Sequence, residues 1–327
     1  MGKRSSFGQM PVGQTNAAFQ PAAGLMMRVG VPHRSGRLAF HAFSCEYPVM
    51  VSASAFWDRA SRSFKVPRAT DLEECDVALD SAGFTAVRNW QQRGTQGGML
   101  GVYSWSLQQY VELACELRPS WFAQPDLACE PELASSDEER RWRIDATAML
   151  LEACLQQIYA WQNQLARTCN ARTVANMLSP PVPVLQGWTP GDYQHSLDLM
   201  LSVWRRWEPW LAPPTLIGVG SVCRRHLHHR QHGLLAVLGA LEGNLPHESR
   251  LHLFGVKGDA LPHLRLRPWI ASADSMAYDD GARRAAFRER RSNTMEARQA
   301  AMSMWMNKAR SKIAAHTGDQ HLFCFQG

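Results

Sequence analysis

Four short apolar runs in this chain end in a carboxylate or an amide. Val77-Ala78-Leu79 leads to Asp80, Trp121-Phe122-Ala123-Gln124-Pro125 to Asp126, Val182-Pro183-Val184-Leu185 to Gln186, and Ile270-Ala271-Ser272-Ala273 to Asp274. A carboxylate at a strand end can carry a proton or act as a nucleophile, and an amide can pair with a polar edge. The small-residue turn Ser81-Ala82-Gly83 follows Asp80 at once, as when a buried parallel strand delivers an acid to the mouth of an α/β barrel. One acid-tipped run is common, but four tipped by acid or amide point to an active site.

The elements that must position these residues follow from the patterning. Strands are expected at Leu25–Val31, Leu38–Phe43, Pro48–Ala53, Val77–Ala82, Trp121–Asp126, Val182–Gln186, Leu216–Ser221, Leu251–Val256 and Ile270–Asp274, the first two as a possible hairpin outside the main sheet. Between them lie helical stripes. One runs from Ser106 to Leu117, and a long one opens at Ser136-Asp-Glu-Glu and reaches about Ala166. Another starts at Thr189 with Pro190 in its first turn, a fourth extends from Ser221 to Leu241, and one or two fill 280–315. Strand–helix alternation without runs of hairpins argues for a parallel sheet. Polar residues at the ends of several strands favour a barrel over a doubly wound sheet, where ligands gather at one switch point. The expected fold is therefore α/β, a (β/α)8 TIM-type barrel over 25–280, with a flexible tail at 1–24 and a basic helical segment packed on the barrel at 281–327.

Composition limits the function classes. The chain has 45% hydrophobic and 20% charged residues, enough for a full core. Its eight cysteines are scattered without a C-x-x-C pair, which suits buried free thiols in a reducing cytoplasm. No secretory h-region follows Lys3 and Arg4, and the longest apolar stretch, Gly233–Leu241, is too short to span a bilayer. These features predict a soluble cytoplasmic protein. The formal charge of +6 is concentrated between Gly281 and Lys312, where nine Arg or Lys face two Glu. Such a segment is the footprint of a nucleic-acid partner or, alternatively, a solvated helix face.

The ordered blocks Leu79-Asp80-Ser81-Ala82-Gly83-Phe84, Pro125-Asp126, Pro183-Val184-Leu185-Gln186-Gly187, Ile217-Gly218-Val219-Gly220-Ser221 and Ala273-Asp274-Ser275-Met276-Ala277-Tyr278 are each about one βα unit apart. In this order they resemble the tRNA-guanine transglycosylase superfamily, most of all its DNA-modifying DpdA-type 7-deazaguanine transglycosylases. The resemblance runs from about Pro48 to Tyr278 and implies a (β/α)8 barrel that exchanges a base through a covalent glycosyl-aspartate. It implies Asp274 as nucleophile and Asp80 as general acid/base, two carboxylates with different tasks. It places Asp126 on the N–H edge of guanine, and Gln186, Gly187 and the Gly218/Gly220 backbone on the opposite side of the base. Ser81 and Phe84 would complete the pocket.

The chain also departs from that pattern. After Asp274 only Cys324 remains of the family's C-x-C-x-x-C zinc cluster, so no metal or other cofactor is expected, and an appended RNA-binding domain has no room. Both departures favour DNA over tRNA as the polymer, with a preQ0-like 7-deazaguanine as the incoming base and accessory DNA-modification proteins as possible partners. The alternatives are a tRNA-guanine transglycosylase or a non-catalytic nucleic-acid-binding barrel. Read alone, Asp80, Asp126 and Asp274 could each cap a helix or turn.

Cys223-Arg224-Arg225-His226-Leu227-His228-His229-Arg230-Gln231-His232 carries metal-ligand types, but interleaved cations oppose a metal. A basic helix face is expected instead, with Arg224 and Arg225 holding phosphate beside the active-site mouth. Arg283, Arg284 and Arg288 are expected to add backbone clamps, as base extrusion requires.

Overall fold

The structure is a computed structural model that describes residues 21–32, 36–67, 71–170, 173–174, 179–208, 210–223 and 225–314. Most of the expected tail at 1–24, the end of the basic segment beyond 314, Arg224 and Cys324 lie outside the described residues.

Eight strands form one parallel sheet: β1 (Met26–Val31), β2 (Val49–Ser52), β5 (Val77–Asp80), β6 (Trp121–Phe122), β7 (Val184–Leu185), β8 (Leu216–Val219), β9 (Arg250–Leu253) and β10 (Ile270–Ser275). Their spatial order is β6-β5-β2-β1-β10-β9-β8-β7, and a separate two-stranded hairpin joins β3 (Trp57–Asp58) to β4 (Ser63–Phe64). The sheet curls until its edges meet at one parallel bridge, Ala123↔Val182. Phe122 accepts from the Val182 N–H at 2.8 Å and Val182 accepts from the Gln124 N–H at 2.9 Å. Beyond that the ladder stops, and the Gln124 side chain takes over by accepting from Val184 N–H at 3.1 Å. The arrangement is TIM-like, with a seam thinner than a full ladder.

Alternation along each strand sorts side chains between two cores. Met50, Ala78, Trp121, Ala123, Val182, Val184, Leu216 and Ala271 fill the inside of the curled sheet. Their neighbours Val49, Val51, Val77, Leu79, Leu185 and Ile217 pack outward beneath the helices. Because both faces are buried, the strands read as continuous apolar runs.

Three expectations are corrected. Leu38–Phe43 is not a strand but lies in helix α1 (Arg37–Ser44), which buries Leu38, Ala39 and Ala42 and exposes Phe40 and Phe43. Burial at i, i+1 and i+4 is a helical face; a strand would alternate. Met26–Val31 is consequently no hairpin arm but the strand between β10 and β2. The helix expected from Ser221 begins only at Leu234, since 221–223 and 225–233 are irregular.

The other helices are α2 (Gly83–Arg93), α3 (Leu107–Leu117), α4 (Asp137–Leu165), α5 (Pro190–Arg205), α6 (Leu234–Leu241), α7 (Leu261–Leu264), α8 (Ala277–Arg288) and α9 (Met295–Ile313). Ser106 and Thr189 form capping boxes at the starts of α3 and α5, and the Ser136 hydroxyl accepts from Glu139 N–H at the start of α4. The boundary expected at 280/281 falls within α8. Among the described residues no helix is long and apolar enough to cross a membrane.

α4 matters most for the site. The segment 123–130 after β6 is buried without being regular, so its backbone polar groups need partners. The fully buried Arg143 donates to Ala128 and Leu133 carbonyls at 2.5 Å. Thr147 accepts from Leu127 N–H at 3.0 Å through its hydroxyl, and its carbonyl takes the Gln124 amide at 2.8 Å. This scaffolding holds Asp126 and Glu130 in place.

Candidate active site

The strand ends bring Asp80, Asp126, Gln186 and Asp274 to the same end of the sheet. Asp126 and Gln186 are in direct contact, because the Gln186 amide nitrogen donates to Asp126 Oδ2 and the Ser81 hydroxyl donates to Oδ1. Tyr103 clamps the Asp126 backbone, donating its hydroxyl to the carbonyl at 2.6 Å and accepting the N–H at 3.0 Å. Burial pushes the Asp126 carboxyl up in pKa, and the bonds from Ser81 and Gln186 oppose it. Gly83 begins α2 so close to Asp126 that a Cβ would stand 2.4 Å from its carbonyl oxygen.

The two candidate glycines separate. A Cβ on Gly220 would fall 2.2 Å from the Gln186 amide nitrogen, whereas one on Gly218 would strike Phe254 and Val184 inside the barrel. Gly220 is thus the residue beside the slot. Its N–H is already bonded to Leu185 O at 2.9 Å, and that of Gly218 to Pro183 O at 2.8 Å. The backbone donors expected to meet the base are therefore engaged in the sheet. Gly220 contributes room, and the Gln186 amide is the available donor. Gly187 is packed against the first turn of α5 at Asp192, and Phe84 stands exposed on the first turn of α2.

Asp80 is half-buried at the tip of β5, accepting from Ala82 N–H at 3.1 Å. Ala82 takes the left-handed conformation (φ +69°), a strained turn that brings this N–H back onto the carboxylate. Burial, then the negative fields of Asp126 and Asp274, push Asp80 up to about 7, against the opposing bonds from Ser52 and Ala82. A carboxyl titrating near neutrality can both give and take a proton there.

Asp274 differs. Gly255 N–H donates to its Oδ1 at 2.9 Å and His252 Nε2 lies 3.3 Å from the same oxygen, while Oδ2 accepts no hydrogen bond among the described residues. His252 is fully buried, its Nδ1 2.8 Å from Ser272 Oγ, and burial lowers its pKa. One oxygen is pinned and the other is open, a suitable geometry for a nucleophile. Gly255 needs its φ of +73° to present that N–H, and a Cβ there would press on Cys223.

A residue missed in the sequence completes the slot. Ser221 Oγ accepts Cys129 N–H at 2.7 Å and lies 2.6 Å from Gln186 Oε1 and 2.9 Å from Glu130 Oε2. A hydroxyl has one hydrogen and two acceptor sites. With Gln186 giving its N–H to Asp126, Ser221 must give its hydrogen to Gln186 Oε1, so Glu130 supplies the proton between itself and Ser221. Glu130 is buried and its pKa is raised by that burial, in agreement with a neutral acid. The chain Glu130–Ser221–Gln186–Asp126–Ser81 is hydrogen-bonded throughout and fixes which edge of Gln186 faces Asp126. Glu130→Gln, which keeps a donor, is expected to leave stability within about 1 kcal/mol, whereas Glu130→Ala, which leaves Ser221 short of a partner, should cost about 1–3 kcal/mol in urea unfolding. Nothing in the sequence linked Glu130 to a serine 91 positions away.

The family model described as DpdA: DeoxyPurine in DNA protein A matches residues 58–321, most of the chain. The chain belongs to the DpdA family. Among curated proteins none matches the sequence. The match covers the whole constellation of this DpdA-family chain, from Asp80 to Asp274, and extends through α8 and α9. Among the described residues no three His, Cys, Asp or Glu side chains gather as a metal site, and Cys324 lies outside those residues.

The basic helix face expected at Cys223–His232 is not seen: none of the described residues of that stretch is helical. Arg225 is buried, and its guanidinium donates to the carbonyls of Ser221 (2.8 Å), Trp188 (2.6 Å) and His232 (2.7 Å) and to the Tyr193 hydroxyl (3.1 Å). It builds the loop instead of presenting a charge to phosphate. Arg283, Arg284 and Arg288 line a surface hollow with Gly281 and Phe287, whose ring is 86% exposed. Arg283 pairs at 3.1 Å with Asp279, which is buried and also bonded to Arg298, and Arg284 pairs with Asp280 at 2.8 Å; the second pair is exposed and costs little to exchange for another anion. At 1.5 Å per residue they lie roughly 9–17 Å along α8 from its start beside Asp274.

Proposed function

We propose that this chain replaces guanine in DNA with a 7-deazaguanine such as preQ0, through a covalent bond to Asp274. The observation that carries the reading is the pairing of a half-free Asp274 carboxylate with a rigid Asp126–Gln186 wall, in a chain of a DNA-modifying family.

The open Asp274 oxygen attacks C1′ of the target deoxynucleotide. The C1′–N9 bond breaks, its electron pair passes into the purine, and Asp80 in its protonated form supplies the proton that lets guanine leave neutral. The incoming base then loses its N9 proton to ionised Asp80 and attacks C1′, releasing the Asp274 carboxylate. No electron is gained or lost overall. Asp126, with a further lone pair on each oxygen, accepts the N1–H and exocyclic N–H of the base, and the second Gln186 N–H reaches O6. Both bases share this edge, so the wall serves both halves of the exchange.

The purified chain, with preQ0 and duplex DNA, single-stranded DNA or tRNA, should yield the deazaguanine deoxynucleoside after digestion and mass spectrometry. Deazaguanosine formed only in tRNA would overturn the DNA assignment. The α8 arginines supply the electrostatic part. Arg284→Glu with Arg288→Glu should weaken DNA binding irrespective of sequence and lower the log–log salt slope by about 1–2.

A further inference from the structure

The irregular loop after β8 carries an ordered column of flat groups. At its base the buried Arg225 guanidinium lies 4.0 Å from the centre of the Trp188 ring. Trp188 stacks on His232 (centroids 5.5 Å apart, planes 25° apart), and His232 stacks on His229 (3.5 Å and 23°). Exposure rises along the column: Arg225 is buried, Trp188 and His232 are half-buried, and His229 is exposed.

The column belongs to the rim of the site. Trp188 stands two residues beyond Gln186, and the Arg225 guanidinium that supports it also binds the Ser221 carbonyl, whose hydroxyl contacts Gln186. On the other flank His228 meets the His263 ring on α7 at 5.3 Å. The loop is closed by Gly233 N–H to His229 O at 2.7 Å and Leu234 N–H to His226 O at 2.8 Å. A Cβ on Gly233 would stand 2.4 Å from His229 O, so the closure needs a glycine. Gln231 N–H donates to His229 Nδ1 at 3.3 Å, which holds the outer ring with its Nε2–H tautomer and leaves little rotational freedom to lose on binding.

We propose that His229 is a stacking platform for the nucleobase next to the target in the DNA strand, backed by His232, Trp188 and Arg225. The chemistry is that of sequence-tolerant base recognition: every base has a π-face, and a fixed aromatic ring beside a polar slot receives it without reading hydrogen bonds. Removing the target base from the helix strips its neighbour of a stacking partner, and the platform replaces that partner. Arg230, exposed beside His229, supplies a cation for the adjoining phosphate.

The proposal rests on the DNA reading above, and equilibrium binding separates its failure from that of the exchange reaction. Full-length protein is titrated, at fixed salt, with guanine-containing oligonucleotides that differ only in having a base or an abasic site 5′ or 3′ of the target. The expected result is a roughly 5- to 150-fold preference for the base on one flank, lost in His229→Ala and kept in His229→Phe, with unfolding midpoints showing all three proteins folded. No preference on either flank, or a preference that His229→Ala retains, would overturn the platform and leave the column as a fastening of the loop. A preference found in a protein that exchanges no base would sustain the platform and sink the exchange reaction instead.

Discussion

Asp274→Asn is expected to abolish both base exchange and the covalent protein–DNA adduct, with turnover falling by on the order of 10⁴-fold or more, as for other covalent nucleophiles. The substitution is nearly isosteric. Its amide oxygen still accepts the Gly255 N–H that holds Oδ1 at 2.9 Å, so the tip of β10 keeps its geometry. What it loses is the anionic oxygen that accepts no bond among the described residues. DNA affinity, which in the proposed function draws on phosphate contacts elsewhere, should change by only a few fold. The measurement is a denaturing gel of protein incubated with a guanine-containing strand in the absence of incoming base. An adduct that persists in the variant would move the nucleophile to another residue, Asp80 first.

Asp80→Asn should produce two opposite changes. Exchange should fall by about 10²–10⁴-fold, the usual contribution of a positioned acid or base, while the folded protein becomes more stable at neutral pH. The sign follows from proton binding. Asp80 titrates at about 7 in the folded chain and near 3.9 when unfolded, so the folded state holds more protons between those values. Stability contributed by this group is therefore full below pH 4, falls as pH rises towards 7, and stays lost above it. About three pKa units correspond to roughly 4 kcal/mol at most, and partial solvent access brings the expectation to about 2–4 kcal/mol. Urea unfolding of wild type and variant should then diverge at pH 8 and coincide near pH 4. Equal differences at both pH values would show that Asp80 is not held near neutrality, and the proton-transfer role would go with it.

The contrast between these two acids was only partly legible in the chain. The apolar runs before Asp80, Asp126, Gln186 and Asp274 revealed a parallel sheet because burial on both faces leaves no polar alternation to confuse the reading. Leu38–Phe43 misled because six residues of Leu, Ala, Phe and His satisfy a strand and a helix equally, and only packing decides between them. The segment after Ser221 looked helical, yet a left-handed Ser221 (φ +52°) and an arginine turned inward onto carbonyls hold it open. Glu130, Tyr103 and His252 escaped notice for another reason: each acts through partners 20 to 91 positions away. The raised pKa of Asp80 is likewise a property of the assembled site, since it comes first from burial and then from Asp126 and Asp274 converging on it.

The seam of the sheet has a consequence for how the site works. β6 and β7 are two residues each, and past their single bridge the ring is finished by side chains: Gln124 to Val184, then Gln186 to Asp126. The wall that would read the base is therefore also the clasp that joins the two edges of the curled sheet. In the proposed function a purine held by Asp126 on one side and Gln186 on the other lies across this joint as a third fastener. The pocket would then be tightest when filled and loosest between guanine's departure and the next base's arrival, when the two bases must trade places.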